Sequence, residues 1–189
     1  MHWSGEPSCW KNATILRLNV GLDINTPKGH ESQMWEEQCM TLLKWHTRLR
    51  FSKTHEPCEI DGILTDIRQR LRYVVEQKSR QMTYAQLFGR FQGEWLMTAN
   101  KLTALRDAAR LLHAPAIGVL YLVPDETVMV IRLSDATGVI TAPIRYDRTT
   151  TQATINGGTA VRENAYIDMR DATVYRGVND ITAQDLTWS

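Results

Sequence analysis

Two acids and one lysine, placed around two apolar runs of strand-like sequence, are the residues of this chain best suited to chemistry. Asp61 lies in the first run, and Glu76 and Lys78 lie at the end of the second. Alternate residues of a strand point the same way, so Glu76 and Lys78 share one face. If the two runs form an antiparallel hairpin centred between Arg68 and Gln69, Asp61 lies opposite Glu76, with Cβ atoms about 5 Å apart.

Two carboxylates at that separation repel each other unless one takes a proton or a cation lies between them. Hard divalent cations prefer carboxylate oxygens, and Mg²⁺ needs only one or two of them because it keeps several waters. Asp61 and Glu76 are therefore predicted to bind Mg²⁺ or Mn²⁺, with Lys78 beside them. The simpler alternative is that Asp61 belongs to a turn and that Glu76 is a surface carboxylate paired with Lys78.

The elements that must position these residues follow from hydrophobic periodicity. Helices are predicted at residues 31–46 and 100–114, the second closed by Pro115. Residues 82–95 carry aromatic side chains at helical spacing, but two glycines weaken a helix there. A turn is predicted at residues 156–158. Strands are predicted at residues 14–24, 48–53, 58–65, 71–78, 117–123, 127–133, 165–169 and 173–175.

A helix, a three-stranded meander that carries the acid and the Glu-x-Lys, a second helix and a further strand resemble the PD-(D/E)XK nuclease superfamily. The resemblance covers residues 31–133, with Ile60 where the name-giving proline would stand. It implies an α/β (α+β) fold with a restriction-endonuclease-like core, a central mixed sheet flanked by helices, and a β-rich C-terminal extension at residues 134–189. Pro124-Asp125, which no Glu-x-Lys follows, is predicted to be a turn.

The resemblance also implies a function, the metal-dependent hydrolysis of phosphodiester bonds in DNA. It adds the backbone carbonyl of Gln77 to the metal ligands and a further acid from the first helix, for which Glu36 is the candidate and Glu37 the alternative. Lys78 would orient or deprotonate the attacking water, or hold the scissile phosphate.

Arg80 and Lys101 are candidate phosphate contacts. Arg80 follows the Glu-x-Lys closely, as a basic residue often does in the superfamily, and Lys101 opens the second predicted helix, where anions are favoured. For both residues a solvated surface cation is the alternative. The aromatic series of residues 82–95 permits base stacking, but a stripe at that spacing is more often core.

Charge is unevenly distributed although the net charge is only +1. Residues 44–110, which hold the candidate site, carry 13 Lys or Arg against 7 Asp or Glu. A protein that binds DNA needs such an excess because phosphate contacts supply much of the affinity. A binding module of the same fold without catalysis, and an assembly protein that uses its C-terminal residues, are the alternative functions.

The composition predicts one domain over residues 1–189, without a membrane span and with homo-oligomerisation left open. Three scattered cysteines argue against a disulfide framework or a zinc site. With no secretory signal in the first ten residues, they predict a reducing, cytoplasmic location.

Overall fold

The computed structural model describes residues 26–55, 58–150 and 161–177 of the chain. The strand predicted at residues 14–24 and the turn predicted at residues 156–158 lie outside the described residues. The described elements are, in chain order, α1 (Pro27–Thr47), β1 (Arg50–Lys53), β2 (Gly62–Thr65), β3 (Leu71–Arg80), α2 (Tyr84–Arg90), β4 (Glu94–Thr98), α3 (Ala99–Leu112), β5 (Ala116–Leu122), β6 (Thr127–Ser134), β7 (Ile144–Thr150), β8 (Val161–Asp168) and β9 (Thr173–Arg176).

The main sheet has six strands in the order β1-β2-β3-β5-β6-β9. Adjacent strands of this sheet pair antiparallel, except β3 and β5, which are parallel. The chain crosses from β3 to β5 through α2, β4 and α3. The fold class predicted from sequence, α+β with a central mixed sheet flanked by helices, is confirmed. The strand predicted at residues 173–175 is β9, which pairs with β6 at the edge of this sheet.

A second sheet of three antiparallel strands has the order β4-β8-β7. It resolves the ambiguous segment at residues 82–95, which forms the short helix α2 and then the start of β4. Gln92 and Gly93 lie between them with positive φ angles of 55° and 76°, a conformation that ends the helix. Trp95 therefore belongs to a strand and not to the helix that its spacing permits.

Helices cover both faces of the main sheet and divide the core in two. On one face, α1 packs Cys39 and Leu43 against Val75 of β3. On the other face, α3 and the small sheet pack Leu105 and Trp95 against the opposite side of the same strands. Every residue of β5 is buried because its alternate side chains enter both cores.

A 3₁₀ turn at Val123–Asp125 connects β5 and β6, and Glu126 follows it in the left-handed conformation. The prediction of a turn at Pro124-Asp125 is thus confirmed. The Asp125 carboxylate accepts a hydrogen bond from the backbone N–H of Tyr84 at the start of α2, so its role in the structure is to fix that helix.

Candidate functional site

The hairpin of β2 and β3 places Asp61 opposite Glu76. Its turn is held by Asp66, whose carboxylate accepts hydrogen bonds from the backbone N–H groups of Arg68 at 2.9 Å and Arg70 at 3.0 Å. The strands pair Gly62 with Val75 and Ile63 with Val74, the register predicted from sequence.

Asp61 lies just before β2 and is tied to β3 at two points. Its backbone N–H donates to the carbonyl of Val75 at 3.2 Å, and its carboxylate Oδ2 accepts from the backbone N–H of Gln77 at 2.9 Å. These contacts place Asp61 against β3 and not in a turn, while its role as a metal ligand stays a prediction. Gln77 thus contributes a backbone N–H that orients Asp61, while the use of its carbonyl as a ligand stays a prediction.

Lys101 of α3 links the two carboxylates. Its Nζ lies 3.1 Å from Oδ1 of Asp61 and 3.2 Å from Oε2 of Glu76. The two oxygens are therefore separated by less than twice 3.2 Å, which meets the prediction that they are close enough to share a cation. The hydroxyl of Thr98 caps α3 by accepting from the backbone N–H of Lys101 at 3.4 Å, which sets where this lysine leaves the helix.

Burial makes Glu76 an unusual carboxylate. The residue is only 6% exposed, and this burial, together with the charge of Asp61, raises its pKa from 4.5 to about 7 although Lys101 and Lys78 oppose the shift. Burial alone would lower the pKa of Lys101, but the charges of Asp61 and Glu76 raise it. At neutral pH Lys101 is therefore a cation, and the carboxyl group of Glu76 is close to its pKa and can gain or lose a proton.

Two cavities meet at Lys78. The first, called here the α1-side cavity, has a volume of about 510 Å³ and is lined by Asp61, Glu36 and Lys78. The second, the α3-side cavity, has a volume of about 520 Å³ and is lined by Glu76, Lys101 and Lys78. Lys78 is exposed between them, so the predicted catalytic residues line one continuous region of the surface.

The structure distinguishes between the two glutamates of the first helix. Glu36 lies in the α1-side cavity with Asp61, and its Oε2 forms an ion pair with Lys53 at 2.7 Å. Glu37 instead lines a separate cavity beside Tyr121. Glu36 is thus the acid placed near the site, and it is held by a lysine of β1.

Arg80 lines both cavities. Its guanidinium is half-buried, and burial lowers its pKa. Within the part of the chain that the structure describes, its hydrogen bond is to the carbonyl of its neighbour Ser79 at 3.4 Å, and it forms no ion pair. A half-buried cation without an anion is unfavourable, so this position is suited to a phosphate group.

Sequence reasoning missed the residues that the small sheet contributes. Thr149 of β7 and Arg162 and Asn164 of β8 line the α3-side cavity opposite Glu76. Asn164 is fixed there by donating from Nδ2 to the hydroxyl of Thr149 at 2.6 Å. Nothing local marks these residues, because they reach the site only through the pairing of β8 with β4.

The donor set fits a hard divalent cation. Two carboxylates face a single point that a positive group of the protein already occupies, and Mg²⁺ completes its shell with water. Over the described ranges, no group of three or more His, Cys, Asp or Glu side chains is placed to hold a metal ion. A metal at this site would therefore depend on Asp61 and Glu76, with water and backbone oxygen as its other ligands.

Comparison of the chain with protein-family models, with curated proteins and with solved structures found no match in any of the three. Among the helices that the structure describes, none is both long and apolar enough to cross a membrane.

Proposed function

We propose that this chain is a metal-dependent DNA nuclease of the PD-(D/E)XK type, which hydrolyses phosphodiester bonds. The observation that carries the proposal is the arrangement of Asp61 and Glu76 around one shared cation, the ammonium group of Lys101. Lys78 lies two residues from Glu76 on the same face of β3, at the junction of the two cavities.

Mg²⁺ or Mn²⁺ held by Asp61 and Glu76 would supply a Lewis acid and a water of lowered pKa. The backbone N–H of Gln77 keeps the Asp61 carboxylate turned toward this position. Lys78, which is exposed, orients the water or stabilises the charge that develops on the phosphate. Glu36, which lines the α1-side cavity, would be the further acid of the site once its ion pair with Lys53 opens.

Lys101 has two successive roles in this proposal. While the carboxylates lack a metal, it neutralises them. With a divalent ion held by Asp61 and Glu76, the ammonium group would be repelled from that position and would be available to the phosphate of the substrate. The phosphate contact predicted from the place of Lys101 in the helix is then compatible with its contacts in the structure.

DNA would be held by the cations around Glu76. Lys78, Arg80 and Arg162 line the α3-side cavity, and Arg162 comes from the opposite sheet. Each phosphate contact releases condensed counterions, so these side chains supply affinity without reading sequence. The two sheets would thus contact the same strand from two sides.

A DNA-binding module without catalysis is the second candidate, and the Lys101 bridge is the observation that favours it. A lysine that neutralises two carboxylates is also what a purely structural ion-pair network contains. In that case Asp61 and Glu76 stabilise the junction of the hairpin with α3, and the cationic residues alone bind DNA.

The test is incubation of the purified protein with single-stranded, double-stranded and branched DNA in Mg²⁺, Mn²⁺ or EDTA. We expect cutting that requires the metal and that falls by at least about a hundredfold in Lys78→Ala. Lys44→Ala, which removes an exposed lysine of α1 outside the two cavities, is the matched control. DNA binding without cutting on every substrate would favour the binding module instead.

We also propose a cytoplasmic location, which the scattered cysteines of the sequence support. Homo-oligomerisation would provide a second copy of the site for the other strand of a duplex. Size-exclusion chromatography with light scattering, with and without DNA, tests this point.

A further inference from the structure

A third cavity, called here the arginine cavity, lies beside the candidate site. Its volume is about 470 Å³, and it is lined by residues of α2, β3 and the small sheet, among them Arg80, Arg90, Phe91, Leu96, Arg145 and Tyr166. Arg80 lines this cavity as well as the two that hold the acids. Through Arg80, the arginine cavity is thus contiguous with the region that holds the acids.

The charge of the cavity is positive and is only partly neutralised. The Arg145 guanidinium is fixed by Glu94, at 3.1 Å to Oε1 and 2.8 Å to Oε2, and it also lies 4.2 Å from the ring centroid of Tyr166. Arg80 and Arg90 form no ion pair in the described part of the chain. Two guanidinium groups thus remain for an anionic group of a ligand.

The cavity also exposes apolar surface beside these cations. Phe91 is 40% exposed and Leu96 is 42% exposed, and the guanidinium of Arg90 lies 5.3 Å from the ring centroid of Phe91. A flat ring next to a guanidinium is a surface on which a nucleobase stacks. In the aromatic series of residues 82–95, Phe91 is the exposed member, while Trp95 is buried.

Trp95 supplies a third feature. The residue is 3% exposed and lines both the arginine cavity and the α3-side cavity. Its indole N–H is buried and has no hydrogen-bond partner among the described residues. A buried donor without a partner is unfavourable, so a small shift that brings this N–H to an acceptor on a ligand would stabilise the complex.

We propose that the arginine cavity binds an unpaired nucleotide of the DNA strand, next to the phosphate at the acids, with its base against Phe91. A base within a duplex is stacked and paired, and its removal costs a few kcal/mol, whereas an unpaired base enters freely. The nuclease proposed above, on which this inference depends, would accordingly act on single-stranded DNA or on the unpaired part of a flap, an end or a loop.

The test is binding of a fluorescent dT oligonucleotide and of a fluorescent duplex of equal length to the full chain in EDTA, followed by anisotropy. We expect at least tenfold tighter binding of the single strand. Phe91→Ala should weaken binding of the single strand at least fivefold and leave duplex binding unchanged, whereas Phe91→Trp should retain it. Tyr146→Ala removes another exposed aromatic ring, one that does not line the cavity, and serves as the matched control.

Equal affinity for both DNAs, or equal effects of Phe91→Ala and Tyr146→Ala, would overturn the inference. Because binding is measured without metal, failure of this inference can be distinguished from failure of the proposed nuclease function, for which metal-dependent cutting is the separate measurement. Metal-dependent cutting together with equal binding of both DNAs would support the nuclease and contradict the nucleotide-binding role of the arginine cavity. Single-strand binding that depends on Phe91, without cutting on any substrate, would support that role and contradict the nuclease.

Discussion

The ammonium group of Lys101 lies where a metal ion shared by Asp61 and Glu76 would be expected, within 3.2 Å of both carboxylates. A protein cation at that position competes with a metal for the same oxygens. It also lowers the cost of holding two acids together, one of them buried, when no metal is bound. Removing the charge of Lys101 should therefore raise the affinity of the site for a metal and lower the stability of the metal-free protein.

Replacing Lys101 by Met, which keeps the length of the side chain without the charge, should raise the affinity for Mn²⁺ at least tenfold. It should also lower the free energy of unfolding in EDTA by about 1–3 kcal/mol because two carboxylates lose their cation. Isothermal titration calorimetry and urea unfolding measure the two effects. Lys78→Met is the control, and an affinity for Mn²⁺ that stays equal or falls in Lys101→Met would contradict the competition.

Glu76 gives the metal-free protein a pH dependence of defined sign. Because its pKa is raised from 4.5 to about 7, the folded state holds a proton there that the unfolded state has released between these values. Stability contributed by this group is complete below pH 4.5 and is lost as the pH rises through about 7. Glu76→Gln should flatten that decline and be more stable than the wild type at pH 8 by about 1–3 kcal/mol.

Thermal unfolding in EDTA across pH 4–8 checks this expectation. Glu94→Gln is the contrasting variant, because hydrogen bonds from Arg145 lower the pKa of Glu94 and its contribution is lost as the pH falls. If the thermal stability of the wild type rises between pH 5 and pH 7, and that of Glu76→Gln rises in parallel, the assigned burial of Glu76 is contradicted.

Among the elements, β4 determines how the two sheets meet. Its Trp95 ring lies over β5, so close that a Cβ on Gly118 would be 2.3 Å from a ring carbon. Gly118 is therefore required for contact between the sheets, and the same ring lines two of the three cavities. Packing of the small sheet and the shape of the site are linked through this residue pair.

Gly118→Ala should lower the free energy of unfolding by about 1–3 kcal/mol because the added methyl group displaces the Trp95 ring. Gly89→Ala is the matched control, since nothing lies within 4 Å of the added Cβ and alanine favours the helix α2. Urea denaturation followed by tryptophan fluorescence measures both variants. Equal stabilities of the two would show that Trp95 does not pack on β5 as described.

The elements also show why sequence reasoning succeeded where it did. The register of β2 and β3 was predictable because a short turn at Asp66 fixes it locally, and Asp61, Glu76 and Lys78 follow from that register. The contact of Lys101 with Asp61 and Glu76 was not predictable from sequence, because it depends on how α3 crosses the sheet. β4 was missed because its partner β8 lies far along the chain and its aromatic spacing mimics a helix.

The whole molecule surrounds its candidate site with cations drawn from both sheets. Lys78 and Arg80 come from the main sheet and Arg162 from the small sheet, around the same α3-side cavity. The site is therefore a property of the assembled fold, and DNA affinity should depend on cations that are distant in sequence. The segment predicted to be basic, residues 44–110, supplies only one side of it.

Arg162→Ala should weaken DNA binding at 100 mM salt and reduce the slope of log affinity against log salt concentration by about 1. Arg148→Ala, an exposed arginine of β7 that does not line the cavity, is the control and should leave the slope unchanged. Anisotropy titrations across a salt series measure both. Identical slopes for Arg162→Ala and wild type would show that the small sheet does not contact the phosphates.

The pairing of β4 with β8 also bears on the order in which a ribosome produces this protein. Synthesis runs from the N-terminus, so β4, Glu76 and Lys101 emerge well before the strand that pairs with β4. Until β8 follows, the nascent chain carries an unpaired edge and lacks the wall formed by Arg162 and Asn164. The acids are thus made before Arg162 and Asn164, the residues of β8 that line the α3-side cavity around Glu76.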